Sequence, residues 1–266
     1  MIKTKHILCV AFSLCVMFSF AQTTISNSSE PNLSGSAYNA NSKHKVLIVP
    51  FEPRMYMSQI DHKINAETKW NQKKIKESFR FGLDDELYKS IKKKMEVISF
   101  LDVTSKYKND LIKTYEKLSY SFDKIPDQTK YQAPKKEKEK TGIQKGQLVA
   151  ETDANGKFMN AKIKDKTLFS SLNSKYKTDL FLFINQLDIT TEIPSNGLSN
   201  DPIRTLTVHY TIFTTDGKEI NSGISKTTFP ADVNNPSKIS GAYLSKISDE
   251  IVMRMEKAAT APAVKK

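Results

Sequence analysis

The sequence predicts an α/β fold of the α+β kind: a mixed sheet with helices packed on it, in one domain carrying a mobile basic insertion. Three observations predict it. Short apolar runs at 45–51, 95–103 and 179–189 have the length of strands buried on both faces. Between the first two, Ile75, Phe79, Leu83, Leu87 and Ile91 recur every four residues, the single apolar stripe of an amphipathic helix. Near the end, Leu206, Val208, Tyr210 and Ile212 alternate with Thr205, Thr207, His209 and Thr211, the period of two of a strand with distinct faces.

Taken in order, the chain opens on Lys3, Lys5 and His6, then an apolar stretch from Ile7 to Phe20 interrupted by Ser13 and Ser19. Ser19-Phe20-Ala21 puts small residues where a signal peptidase reads, so residues 1–21 are expected to be a secretory signal peptide with Gln22 as the new N-terminus. The apolar run is short for a membrane span, which needs about 20 residues. Cys9 and Cys15 both fall in this segment, and each follows a leucine, where a lipobox requires a small residue. The exported chain is therefore expected to carry no thiol and no disulfide.

Residues 22–44 are rich in Ser, Asn and Thr and read as a flexible leader. A single domain is expected over 45–259, with 260–266 as a tail. Its first strand stops at Pro50, which cannot donate to a ladder. Residues 52–70 show no clear period and read as a long loop, followed by a helix over about 71–94. Leu111, Tyr115, Leu118 and Phe122 suggest a second amphipathic helix. Residues 127–146, with the run Lys135-Lys-Glu-Lys-Glu-Lys140, have few apolar anchors and are expected to be a disordered insertion. Residues 147–150 and 157–163 read as two strands joined by the turn Asp153-Ala-Asn-Gly156. A short helix at Leu168, Phe169, Leu172 and Tyr176 leads into the strand at 179–189. Asp216-Gly217 joins the last two strands, and a final helix from Ser237 shows Ile239, Tyr243, Ile247, Ile251 and Met255 on one face.

The formal charge is +12, falling to +10 when residues 1–21 are removed. Such a balance favours acidic partners. It is carried by clusters such as Lys92-Lys93-Lys94 and by only four arginines: Arg54, Arg80, Arg204 and Arg254. Arginine is the usual reader of bases and phosphates, so a solubilising surface is expected and nucleic acid is not.

Candidate chemistry is sparse. No Gly-x-Ser-x-Gly, His-Glu-x-x-His or phosphate-loop pattern occurs. His44, His62 and His209 match no zinc spacing, and His209 is expected on the exposed polar face of its strand. Met55, Met57 and His62 are soft donors of the kind that hold copper, but they do not recur in clusters. Asp84-Asp85-Glu86 reads as a solvated helix face, and Asp61, Asp188 and Glu192 as isolated carboxylates. No catalytic residue, metal site or cofactor is expected. Met55, Tyr56, Met57 and Trp70, gathered in the loop after the first strand, are the candidate binding residues.

The order of elements, read from Val46-Leu-Ile-Val-Pro-Phe51, resembles a periplasmic α/β domain shared by curli-secretion lipoproteins, lipoprotein activators of penicillin-binding proteins and the N-terminal domain of the Tol-system β-propeller protein. Thr214-Thr-Asp-Gly-Lys218 is similar to the Asp-x-x-Gly-Lys hairpin turn of those domains. This chain departs from them in lacking the lipid-anchoring cysteine and in reading Phe100-Leu-Asp102 where they have a basic–acidic pair. The resemblance implies a domain that binds partners and carries no catalytic residue. The expected function is a non-enzymatic docking or assembly module of a cell-envelope complex, periplasmic or secreted, with a protein partner and no membrane span after signal cleavage. The alternative is a small hydrolase or carbohydrate-binding protein acting on an acidic envelope polymer.

Overall fold

The computed structural model describes residues 44–102, 104–134, 143–144, 147–148, 156–193 and 202–260. The expected signal peptide, all of the expected leader except His44, the whole Lys-rich run 135–140, residues 149–150 of the predicted strand, the 153–155 part of the predicted turn and the last six residues lie outside the described residues.

The α/β class is as the sequence predicts. β1 (Lys45–Val49) runs parallel to β3 (Glu96–Ser99) on one side and to β8 (Leu180–Glu192) on the other. β9 (Ile203–Thr214) and β10 (Glu219–Pro230) extend the sheet antiparallel, giving the order β10-β9-β8-β1-β3. β1 is central and parallel, so both its faces are covered. Val46 and Ile48 enter one core and Leu47 and Val49 the other. β8 is 13 residues long, and its far half pairs with β2 (Tyr56–Ser58).

One face is covered by helices. α2 (Gln72–Lys92) is capped by the Asn71 side chain, which accepts from the Lys74 N–H. Its stripe Ile75, Phe79, Leu83, Leu87 and Ile91 is buried, as predicted. The final helix enters through α5 (Pro236–Ile239), makes a π turn at Ser240–Leu244 and continues as α6 (Ser245–Thr260). Ile247, Ile251 and Met255 complete this core. Gly82 permits the close contact of α2 with the π turn, because a Cβ there would overlap the Ser240 side chain. Within the π turn, Ser240 Oγ has no hydrogen-bond partner among the described residues.

The other face is covered by α3 (Lys108–Glu116), α4 (Leu168–Tyr176) and a two-stranded ribbon. The ribbon pairs β4 (Leu118–Lys124) with β7 (Lys157–Ile163) over seven residues. Its core is aromatic: Phe169 lies 4.8, 6.1 and 5.1 Å, centroid to centroid, from Phe181, Phe183 and Phe213.

Three local expectations are corrected. The helix predicted through Phe122 ends at Glu116, and Leu118–Lys124 is a strand. Leu118 and Tyr120 face the core two residues apart, while Phe122 is exposed, so the spacing of four spanned a helix end and a strand start. The predicted partner of 157–163 is also different. Gln147–Leu148 (β6) pairs with Ile143–Gln144 (β5), and β7 pairs with β4. Finally, residues 52–70 are regular: a 3-10 turn at Pro53–Met55, then β2, then α1 (Asp61–Thr68). β2 lies on the line of β1 beside β8, so ladder bonds hold a segment whose sequence shows no period.

Candidate functional site

Three places bring polar or exposed groups together. The first is the carboxyl end of β1, where open α/β sheets usually leave a ligand crevice. Here side chains fill it. Arg80 donates from Nε to the Phe51 carbonyl (2.8 Å) and from Nη2 to the Tyr115 hydroxyl (2.8 Å), which in turn donates to the Pro50 carbonyl (2.6 Å). Nearby, Asp84 is buried against Ser99, whose hydroxyl lies 2.7 Å from both carboxyl oxygens. Burial pushes the Asp84 carboxyl up to about 7, with Ser99 and Arg80 pulling the other way. The expectation of a solvated Asp84-Asp85-Glu86 face therefore fails at Asp84. It holds for Asp85, which pairs with Lys89 on the outer side.

The second place is a polar seam between the ribbon and the sheet. β8 shifts register against β9 between Ile184 and Gln186, and Asn185 is the extra residue. Its amide donates to the Met159 carbonyl (2.9 Å) and to Thr211 Oγ1 (2.8 Å). Thr211 donates to Asn160 Oδ1 (2.6 Å), and Asn160 donates to Asp123 (2.8 Å). His209, expected to be exposed, is buried in this seam. Its Nδ1 accepts the Met159 N–H (2.8 Å), which places the ring proton on Nε2, 3.0 Å from Asp188 Oδ2. Asp188, expected to be isolated, also accepts from Gln186 (2.7 Å). A His–Asp pair resembles part of a catalytic triad. In this one the basic nitrogen is already taken by a backbone N–H, so its lone pair ties β7 to the sheet.

The third place is the outer edge of β10. The Ser222 carbonyl accepts from Gln128 (2.8 Å) and the Ile224 carbonyl from Arg254 (2.7 Å), and neither donor belongs to β9. Backbone groups alternate in direction along a strand, so even-numbered positions face away from β9. Tyr131 reaches the same edge, donating to Glu219 (2.7 Å). Gly223, at φ +143°, allows this approach, since a Cβ there would lie 2.8 Å from Gln128 Nε2. The start of the expected mobile insertion is thus tied to the sheet. Beyond Ile224 the picture changes. Lys226, Thr228 and Pro230 are exposed, and among the described residues nothing bonds the outward backbone groups of Lys226 and Thr228. The edge ends in a cleft of about 600 Å³ lined by Pro202, Ile203, Thr228, Phe229, Pro230, Ala231 and Asp232. Beside it Arg204 is buried on Phe229, 5.8 Å from the ring centroid, and donates to the Val233 carbonyl (2.8 Å). Burial lowers its pKa.

Three of the four sequence-predicted binding residues pack into or against the helix-side core. Tyr56 is buried, stacked 5.9 Å from Phe79, with its hydroxyl donating to Asp61 (2.7 Å). Asp61 is therefore not isolated either. Met55 and Trp70 are half-buried against the helix-side core, with Lys74 Nζ 4.2 Å over the Trp70 ring. Met57 alone of the four stands out, 58% exposed. Sequence reasoning missed the β10 edge. The signal was present: a lysine and a proline late in a predicted strand mark an outer strand whose edge is left unpaired.

No family model matches this chain, and no curated protein matches it. Among solved structures, the chain is similar to the hypothetical protein CT253 from Chlamydia trachomatis, with 13% identity and a TM-score of 0.38 over 83% of this chain and 100% of that one. It is similar to lipoprotein GNA1162 from Neisseria meningitidis at 14% identity and a TM-score of 0.33, covering 79% of this chain and 99% of that one. A minor lipoprotein from Acinetobacter baumannii shares 14% identity over 34% of this chain and 80% of its own, with a TM-score of 0.21. At such TM-scores none of the three defines a fold family or a role for this chain. No helix among the described residues is long and apolar enough to cross a membrane.

Proposed function

We propose that this chain is an exported, non-enzymatic docking module of a cell-envelope complex. The observation that carries this reading is the open half of the β10 edge, continuous with a cleft, on a strand whose other half is bonded by Gln128 and Arg254. Main-chain groups at a sheet edge are satisfied by water or by another chain, and an unpaired edge is a template for association. Export rests on the apolar stretch and small residues at 7–21. Met57 is a second exposed point, on the other side of the sheet from β10, and belongs to the docking surface if the partner spans both.

The test is photo-crosslinking in the native envelope, with a photoreactive residue placed at Thr228 or at Met57 in the full chain. One discrete protein adduct from Thr228 is expected, together with its absence at the solvated control position Lys89. If neither Thr228 nor Met57 gives an adduct above that control, docking is overturned.

A further inference from the structure

We infer that the open half of β10 takes an extended, acidic and apolar segment of a partner protein as an added strand. The inference rests on the docking reading and names the partner's chemistry. Two outward residues, Lys226 and Thr228, offer backbone donors and acceptors that are unpaired among the described residues and two positions apart, the repeat that one face of an incoming strand requires. Pairing cannot run toward the start of β10, because Gln128 holds the Ser222 carbonyl and Arg254 the Ile224 carbonyl. It cannot run past Pro230, which has no N–H. The site therefore accepts a short segment.

Side chains set its composition. Lys226 is exposed on the pairing edge, so a carboxylate at the facing position of the partner is favoured. At the end of the edge, the cleft walls of Ile203, Phe229 and Pro230 suit a branched or aromatic side chain two or more residues further along. A second copy of this chain fits less well. Self-pairing brings two copies of Lys226 and Pro230 onto one short edge, and both are residues that oppose edge-to-edge association.

The probe is a synthetic peptide, acetyl-Thr-Val-Glu-Val-Glu-Val-Thr-amide, with a control in which lysine replaces glutamate. Amide hydrogen exchange is read on the purified protein by NMR. Saturating acidic peptide is expected to slow exchange at Lys226 and Thr228 at least tenfold and to leave Gly223 and Ser225 unchanged. The basic peptide is expected to bind at least tenfold more weakly. Thr228→Pro removes the outward N–H without touching the β9 ladder, and is expected to abolish binding with an unchanged Tm. Should that variant fold poorly, Lys226→Glu serves instead, and is expected to reverse the preference between the two peptides. Protection elsewhere, equal affinity for both peptides, or binding unaltered in the variants overturns the inference. So does protection of Lys226 and Thr228 without peptide in a protein that sediments as a dimer. An envelope crosslink from the Met57 position that survives Thr228→Pro removes this edge and leaves docking standing; slowed exchange with peptide but no envelope crosslink from either position does the reverse.

Discussion

The two faces of the sheet are held by different physics. Under α2 and α6 the contact is apolar and continuous, from Ile75 to Ile91 on one helix and Ile247 to Met255 on the other. Under the β4–β7 ribbon, an aromatic core near β1 gives way to a seam of Asn160, Asn185, His209 and Thr211 toward β9 and β10. Apolar burial is non-directional and tolerates small shifts, whereas a buried polar group costs free energy unless every partner is in place. The helix face therefore supplies stability. The ribbon face specifies position: the register of β7 on β8 and β9 is read out by directional bonds to the Met159 N–H and carbonyl.

The largest expected effect lies on the helix face. Ile251→Asp puts a charge at a site with no exposed surface. It should cost roughly 4 kcal/mol, or prevent folding, in urea denaturation followed by circular dichroism. An unchanged midpoint would mean that this face is not the stabilising one.

Asp84 gives the next effect, and it depends on pH. Its folded pKa is raised from 3.8 to about 7. The folded state therefore holds the proton more tightly than the unfolded chain does. Stability from this group is whole below about pH 4 and is lost as pH rises toward 7. Asp84→Asn removes that loss, and should stabilise the protein at pH 8 by about 3 kcal/mol with little change at pH 4. Equal midpoint shifts at the two pH values would show that the carboxyl is solvated.

His209→Ala tests the ribbon face and should cost about 2 kcal/mol, since it orphans the Met159 N–H and one bond to Asp188. Its distinguishing sign is local. Hydrogen exchange should quicken at Met159 and its ribbon neighbours while α2 keeps its protection. Uniform acceleration across both faces would end the division of labour proposed for them.

Strands buried on both faces and a long helix stripe were legible in the sequence because their burial repeats along the chain. Val46 to Val49, Ile75 to Ile91 and Leu206 to Ile212 show it directly. The loop at 52–70 was not legible. β2 owes its pairing to β8, more than a hundred residues later, and Tyr56 owes its burial to Phe79. The same holds for Leu118–Lys124, whose ladder partner is β7.

By itself, the sequence determined the mixed sheet, the helices packed on it, the turn at Asp216-Gly217 and the basic, arginine-poor surface. These follow from local period, turn chemistry and composition. Tertiary structure alone decided that Asp84 is dry, that His209 and Asp188 meet, and that β10 is guarded at Ser222 and Ile224 but open at Lys226 and Thr228. Solvation and hydrogen-bond partners depend on which distant segments arrive at a residue, and no local pattern records that.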